Sequence, residues 1–158
     1  MTTTKLTAGA LAGIVLLVLP GCSAPPKQAL IESADEKCRT ITQRFAGDLA
    51  YGDGIGADDS PRIRERVTLL QDLAGHARKM PKPETGQAEL NDWLTKLDTY
   101  AAELRKMSGM MESPQVADLL RAMQAGIALE SAKEVGQAAK RFGFKDCTKT
   151  DNWEHIAS

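Results

Sequence analysis

A chain of 158 residues with a formal net charge of −1 has room for one domain and lacks the basic field that marks a nucleic-acid binder. Its 42% apolar and 26% charged residues are ordinary for a globular protein. Aromatics make up only 4%, and Ala and Leu supply most of the apolar content, which favours packed helices over sheets.

The chain opens polar, with a positive charge at Lys5, and then runs apolar over residues 11–19. That run falls short of the roughly 20 apolar residues a membrane-spanning helix needs. Its length suits the apolar region of a signal peptide. Leu19-Pro20-Gly21-Cys22 follows. A branched apolar residue, a variable one, a small one and a cysteine, in this order, resemble the lipobox of bacterial lipoproteins. The resemblance implies that residues 1–21 are removed as a signal peptide and that the Cys22 thiol carries a diacylglyceryl group. It also implies a membrane anchor on the extracytoplasmic face. An ordinary secretory signal cut at another small residue, or an uncleaved anchor, is the competing reading. Two acyl chains hold far better than one, each buried methylene adding about 0.8 kcal/mol. Residues 22–27 contain Pro25 and Pro26 and read as a short stiff spacer that delays the first helix.

With Cys22 lipidated, Cys38 and Cys147 remain. Outside the cytoplasm such a pair is expected to oxidise, tying the first helix to the segment after the last. Two free buried thiols are the alternative.

Four segments carry helical periodicity. The first covers about residues 28–50, with Leu30, Ala34, Cys38, Ile41, Phe45 and Leu49 on one face. Gly52, Gly54 and Gly56 break the pattern. The second starts with Ser60 as N-cap and Pro61 at the first helical position. Its stripe is Ile63, Val67, Leu70, Leu73 or Ala74, and Ala77, and Pro81 and Pro83 stop it. The third begins near residues 85–88, buries Leu90, Trp93, Leu94, Leu97, Tyr100, Ala101 and Leu104, and ends around Ser108-Gly109. The fourth opens with Ser113-Pro114 and is lined by Val116, Leu120, Met123, Ile127, Val135, Ala138 and Phe142, with Gly143 as the stop. Beside this face runs a stripe of small residues, Ala125, Ala128, Ala132, Gly136 and Ala139. Such a stripe lets two backbones approach closely, either inside the bundle or as a docking face for a partner helix.

The expected fold is all-α: a four-helix up-down-up-down bundle closed by one disulfide, spanning residues 28–147. That topology brings the start of the first helix beside the end of the fourth, as a Cys38–Cys147 bridge requires. Residues 148–158 form a polar tail around Trp153 and Ile156 that packs a short turn or stays frayed. Arg141-Phe142-Gly143-Phe144-Lys145-Asp146-Cys147 resembles the endings of some small exported helical proteins of actinobacteria, a likeness that implies no function.

Motifs of chemistry are scarce. Asp53, Asp58 and Asp59 fail the alternating spacing of a calcium loop. Asp72 and His76 stand one helical turn apart, but a zinc site wants three or four protein ligands, and His155 is the only other histidine. Met107, Met110 and Met111 form a thioether cluster of the type that holds Cu(I), or else fill gaps at a helix end. No nucleophile elbow, phosphate loop or zinc-protease motif occurs. The expectation is a non-enzyme without cofactor: a lipid-anchored interaction or accessory module with an envelope protein partner. A binder of a lipid-like ligand or of Cu(I) is the alternative.

Overall fold

The computed structural model describes residues 25–51, 57–113, 115 and 118–153. Cys22 and the residues before it, Gly52 to Gly56, Val116, His155 and Ile156 lie outside the described residues. Four α-helices and two single 3₁₀ turns make up the regular structure, and no strand occurs among the described residues. Nor is any helix among them long and apolar enough to cross a membrane.

Helix α1 spans Pro26–Ala46. It begins on the spacer's second proline rather than after it, because a proline at the first helical position has no N–H to lose. A turn from Gly47 to Leu49 then ends the helix earlier than the periodicity suggests. Helix α2 spans Ser60–Lys79. Asp59, not Ser60, holds the N-cap position, which frees the Ser60 hydroxyl to reach another helix. Met80 is extended, with ψ 152°, as a residue before proline prefers. Helix α3 spans Gln87–Met111, running straight through Ser108-Gly109. Helix α4 spans Asp118–Phe142, several residues later than the Ser113-Pro114 signature. It stops at Gly143, whose φ of 108° few side-chain-bearing residues adopt. The Phe144 N–H folds back onto the Ala139 carbonyl there, at 3.1 Å, satisfying an orphan acceptor of the last turn.

The apolar stripes of α1, α2 and α3 are buried as their spacing predicts, from Leu30 at 1% exposure through Ile63 at 0% to Leu104 at 1%. Trp93, Trp153, Tyr100 and Phe45 are the largest buried apolar side chains. Helix α3 packs on both α2 and α4, and α1 packs on α2. Helix α1 makes no close backbone approach to α4. Between them runs the chain's end, residues 144–153, closed by a 3₁₀ turn at Asp151–Trp153. This strap belongs to the core: Phe144 is 4% exposed and Trp153 1%.

Candidate functional site

Two polar anchors, neither visible as a motif, hold the strap. The first is Asp35 on α1, only 6% exposed. Its carboxylate accepts hydrogen bonds from three successive main-chain N–H groups: Lys145 at 2.9 Å, Asp146 at 2.9 Å and Cys147 at 3.0 Å. One helical turn on, Cys38 and Cys147 form the disulfide, their Cα atoms 5.0 Å apart and both sulfurs buried. Asp146 turns outward to Arg39 and Lys149.

The second anchor is Arg66 on α2, with 0% exposure. Its guanidinium donates to the carbonyls of Phe45 at 3.0 Å, Leu49 at 2.8 Å and Trp153 at 3.2 Å. The Phe45 carbonyl lies in the last turn of α1 and that of Leu49 in the turn that follows, where unpaired acceptors and the helix dipole both favour a cation. The Phe45 and Tyr51 rings sandwich the guanidinium, with centroids 4.3 and 3.8 Å away. Trp153 completes the arrangement. Its carbonyl also accepts from the Tyr100 hydroxyl at 2.9 Å, and its indole N–H donates to Thr42 at 2.9 Å.

The small-residue stripe of α4 turns inward. Ala128, Ala132 and Ala139 are at most 4% exposed, and Ala125 packs on the core edge. Gly136 lies under the strap: a Cβ there would stand 2.7 Å from Thr150 Oγ1 and 3.1 Å from the Thr148 carbonyl. These five residues therefore offer no free face to a partner helix. Packing this closely with small side chains fixes the rotation of α4: Val135, Ala138 and Phe142 stay buried, while the larger apolar residues of its first half are carried outward. Leu120, Met123 and Ile127, expected in the core, are 49%, 57% and 46% exposed. Met123 and Ile127 each stand one residue before a buried position, Gln124 and Ala128, hence about 100° around the helix from the buried line. Gln124 takes the inward place and donates to the Glu103 carboxylate at 2.6 Å.

Of the thioether cluster, Met107 and Met111 are buried in the core and Met110 is half-buried, where soft side chains fill irregular space. Ser60 and Ser108 are also buried, their hydroxyls 2.7 Å apart. Ser60 donates to Glu112 at 2.6 Å and accepts from Arg64 at 2.9 Å. That bond, followed by the Arg64 charge, holds the Glu112 carboxyl below its usual range.

One pair resembles a nucleophile and its base. Ser33 Oγ lies 2.7 Å from His76 Nε2, beside a groove of about 380 Å³ between α1 and α2 that Asp72 also lines. Burial, then Lys37 and Lys79, push the imidazole pKa down and favour its neutral form. Both residues sit inside helices, where main-chain N–H groups are already donated to the preceding turn. The groove walls thus present no pair of free amides for an oxyanion, and the bond serves to join two helices. No group of three or more metal-ligating His, Cys, Asp or Glu side chains occurs among the described residues.

Comparison with protein-family models, with curated proteins and with solved structures finds no match to this chain.

Proposed function

We propose that the protein is a lipid-anchored lipoprotein of the cell envelope, tethered by Cys22 on the extracytoplasmic side, whose helical domain is a non-catalytic interaction module. The observation that carries the interaction reading is the Leu120, Met123 and Ile127 stripe on α4. Three large apolar side chains in a row, each about half exposed, lose their hydration cost only when something covers them. The formed Cys38–Cys147 bridge supports export, since oxidising compartments preserve such bonds.

An up-down-up-down course fits the cross-helix pairs. Arg44 meets Glu65 between α1 and α2, and Ser60 meets Glu112 between α2 and α3. Between α3 and α4, Asp92 meets Arg141, Lys96 meets Glu134, and Glu103 meets Gln124. In each helix pair early residues of one meet late residues of the other. The stripe then lies at the opposite end of the bundle from the tether. A partner standing off the membrane is the one it suits.

The test is in-cell photo-crosslinking from position 123 of the full-length protein, with position 68, exposed and polar, as control. The expected result is one envelope protein captured from position 123 only, and lost in Ile127→Asp while the melting temperature holds. Equal capture from both positions, or none from position 123, overturns the reading.

A further inference from the structure

We infer that the end of the bundle nearest the tether is an anionic-membrane-binding surface formed by Lys27, Lys79 and Lys82; the inference rests on lipidation at Cys22. The sequence fixes the distance. Three residues lie between Cys22 and Pro26, the first residue of α1, so the four steps of chain reach at most about 14 Å. Whatever surrounds Pro26 is therefore held near the lipid headgroups.

Three lysines belong to this end. Lys27 is in the first turn of α1 and lies over the Phe142 ring, 4.8 Å from its centroid, at the end of α4. A Cβ on Gly86 would stand 3.1 Å from its ammonium, so the link joining α2 to α3 passes beside it. Lys79, the last residue of α2, and Lys82, within that link, are both exposed. The arginines nearby are already neutralised, Arg78 by Asp98 and Arg141 by Asp92. The three lysines have no such carboxylate partner among the described residues. Outside the ion pairs, Glu32, Glu84 and Glu89 are the acidic groups of this end, and Lys140 adds to the basic side. Four lysines against three carboxylates leave the end positive in a chain whose net charge is −1.

Position makes the imbalance effective. The potential of an anionic leaflet decays over a Debye length of about 8 Å, and each lysine within it strengthens surface binding by about fivefold. The tether holds this end, and not the opposite one, inside that range. The bundle then stands end-on, with its exposed α4 stripe directed away from the bilayer.

Lysine footprinting of the full-length protein with an amine-reactive ester, read by mass spectrometry, tests this. The protein is placed on vesicles of phosphatidylcholine alone and on vesicles that also contain phosphatidylglycerol. The expected result is severalfold slower labelling of Lys27, Lys79 and Lys82 on the anionic vesicles only, reversed by high salt, with Lys106 labelled equally on both. Lys79→Glu with Lys82→Glu should also release Lys27 from protection. Equal labelling of the three lysines on both vesicles, or equal protection of Lys106, overturns the inference. The intact mass of the same sample reports the lipid on Cys22 separately. A lipidated chain with unprotected lysines defeats this surface and leaves the anchor standing. An unlipidated chain defeats the anchor, and its footprint on the anionic vesicles then decides the surface alone: protection supports it and its absence overturns it.

Discussion

Arg66 and Trp153 are joined across 87 residues of sequence by a hydrogen bond from the buried guanidinium to the indole residue's own carbonyl, at 3.2 Å. One side chain thereby ties the end of α1, the middle of α2 and the last described residue of the chain. Replacing it by methionine keeps much of the volume and strands the carbonyls of Phe45, Leu49 and Trp153. Arg66→Met is expected to lose about 3 kcal/mol or more of stability, as breaking a buried polar network does. Urea unfolding measures it. A change under 1 kcal/mol would mean that water satisfies these carbonyls instead.

The disulfide closes a loop with a sequence separation of 109 residues. In the chain-entropy model such a closure stabilises by about 4–5 kcal/mol. Cys38→Ala with Cys147→Ala should lower the melting temperature by many degrees while leaving helical circular dichroism in place at low temperature. An unchanged midpoint would show that Asp35 and Trp153 hold the strap unaided.

Two glycines of α4 make opposite predictions. Gly126 has nothing within 4 Å of a built Cβ, so Gly126→Ala should gain up to about 1 kcal/mol from helix propensity. Gly136→Ala meets the Thr148 carbonyl and Thr150 and should lose about 1–3 kcal/mol, as overpacking does. Thermal melts of the pair check both signs.

Acid should act through two groups. Lys149 first, and then Arg39, hold the Asp146 carboxyl below its ordinary 3.8. A depressed folded value gives stability that is present above 3.8 and is lost as pH falls through the folded value. Asp146→Asn should therefore flatten the stability curve in that window. His76 is held below its ordinary 6.5, chiefly by burial. As pH drops beneath 6.5, the unfolded chain takes up the proton first and the folded state loses ground. His76→Gln should remove that slope. Melting temperature against pH for the three proteins separates the windows.

Most of the core is legible because α1, α2 and α3 present long apolar lines at helical spacing. Arg66 was overlooked although it falls on such a line, between Ile63 and Leu70, where a charge is unexpected. A basic residue at an apolar register position is the signal that would have found it. On α4 two lines competed, one of large residues and one of small. Side-chain size favours the first, and its later members Val135, Ala138 and Phe142 are buried; in the first half of the helix, close approach to α3 selects the second. Trp153 was the sole aromatic of a polar segment, and local pattern carries no information about a partner 87 residues away. Asp35 was hidden for a similar reason: its three donors are main-chain groups of a distant turn.

The strap also sets an order of events. Asp35, Cys38 and Arg66 precede their partners Cys147 and Trp153 by 112, 109 and 87 residues. A chain emerging N-terminus first, from a ribosome or a translocation pore, cannot lock this core until the strap has come through. Until then the bundle lacks its clasp.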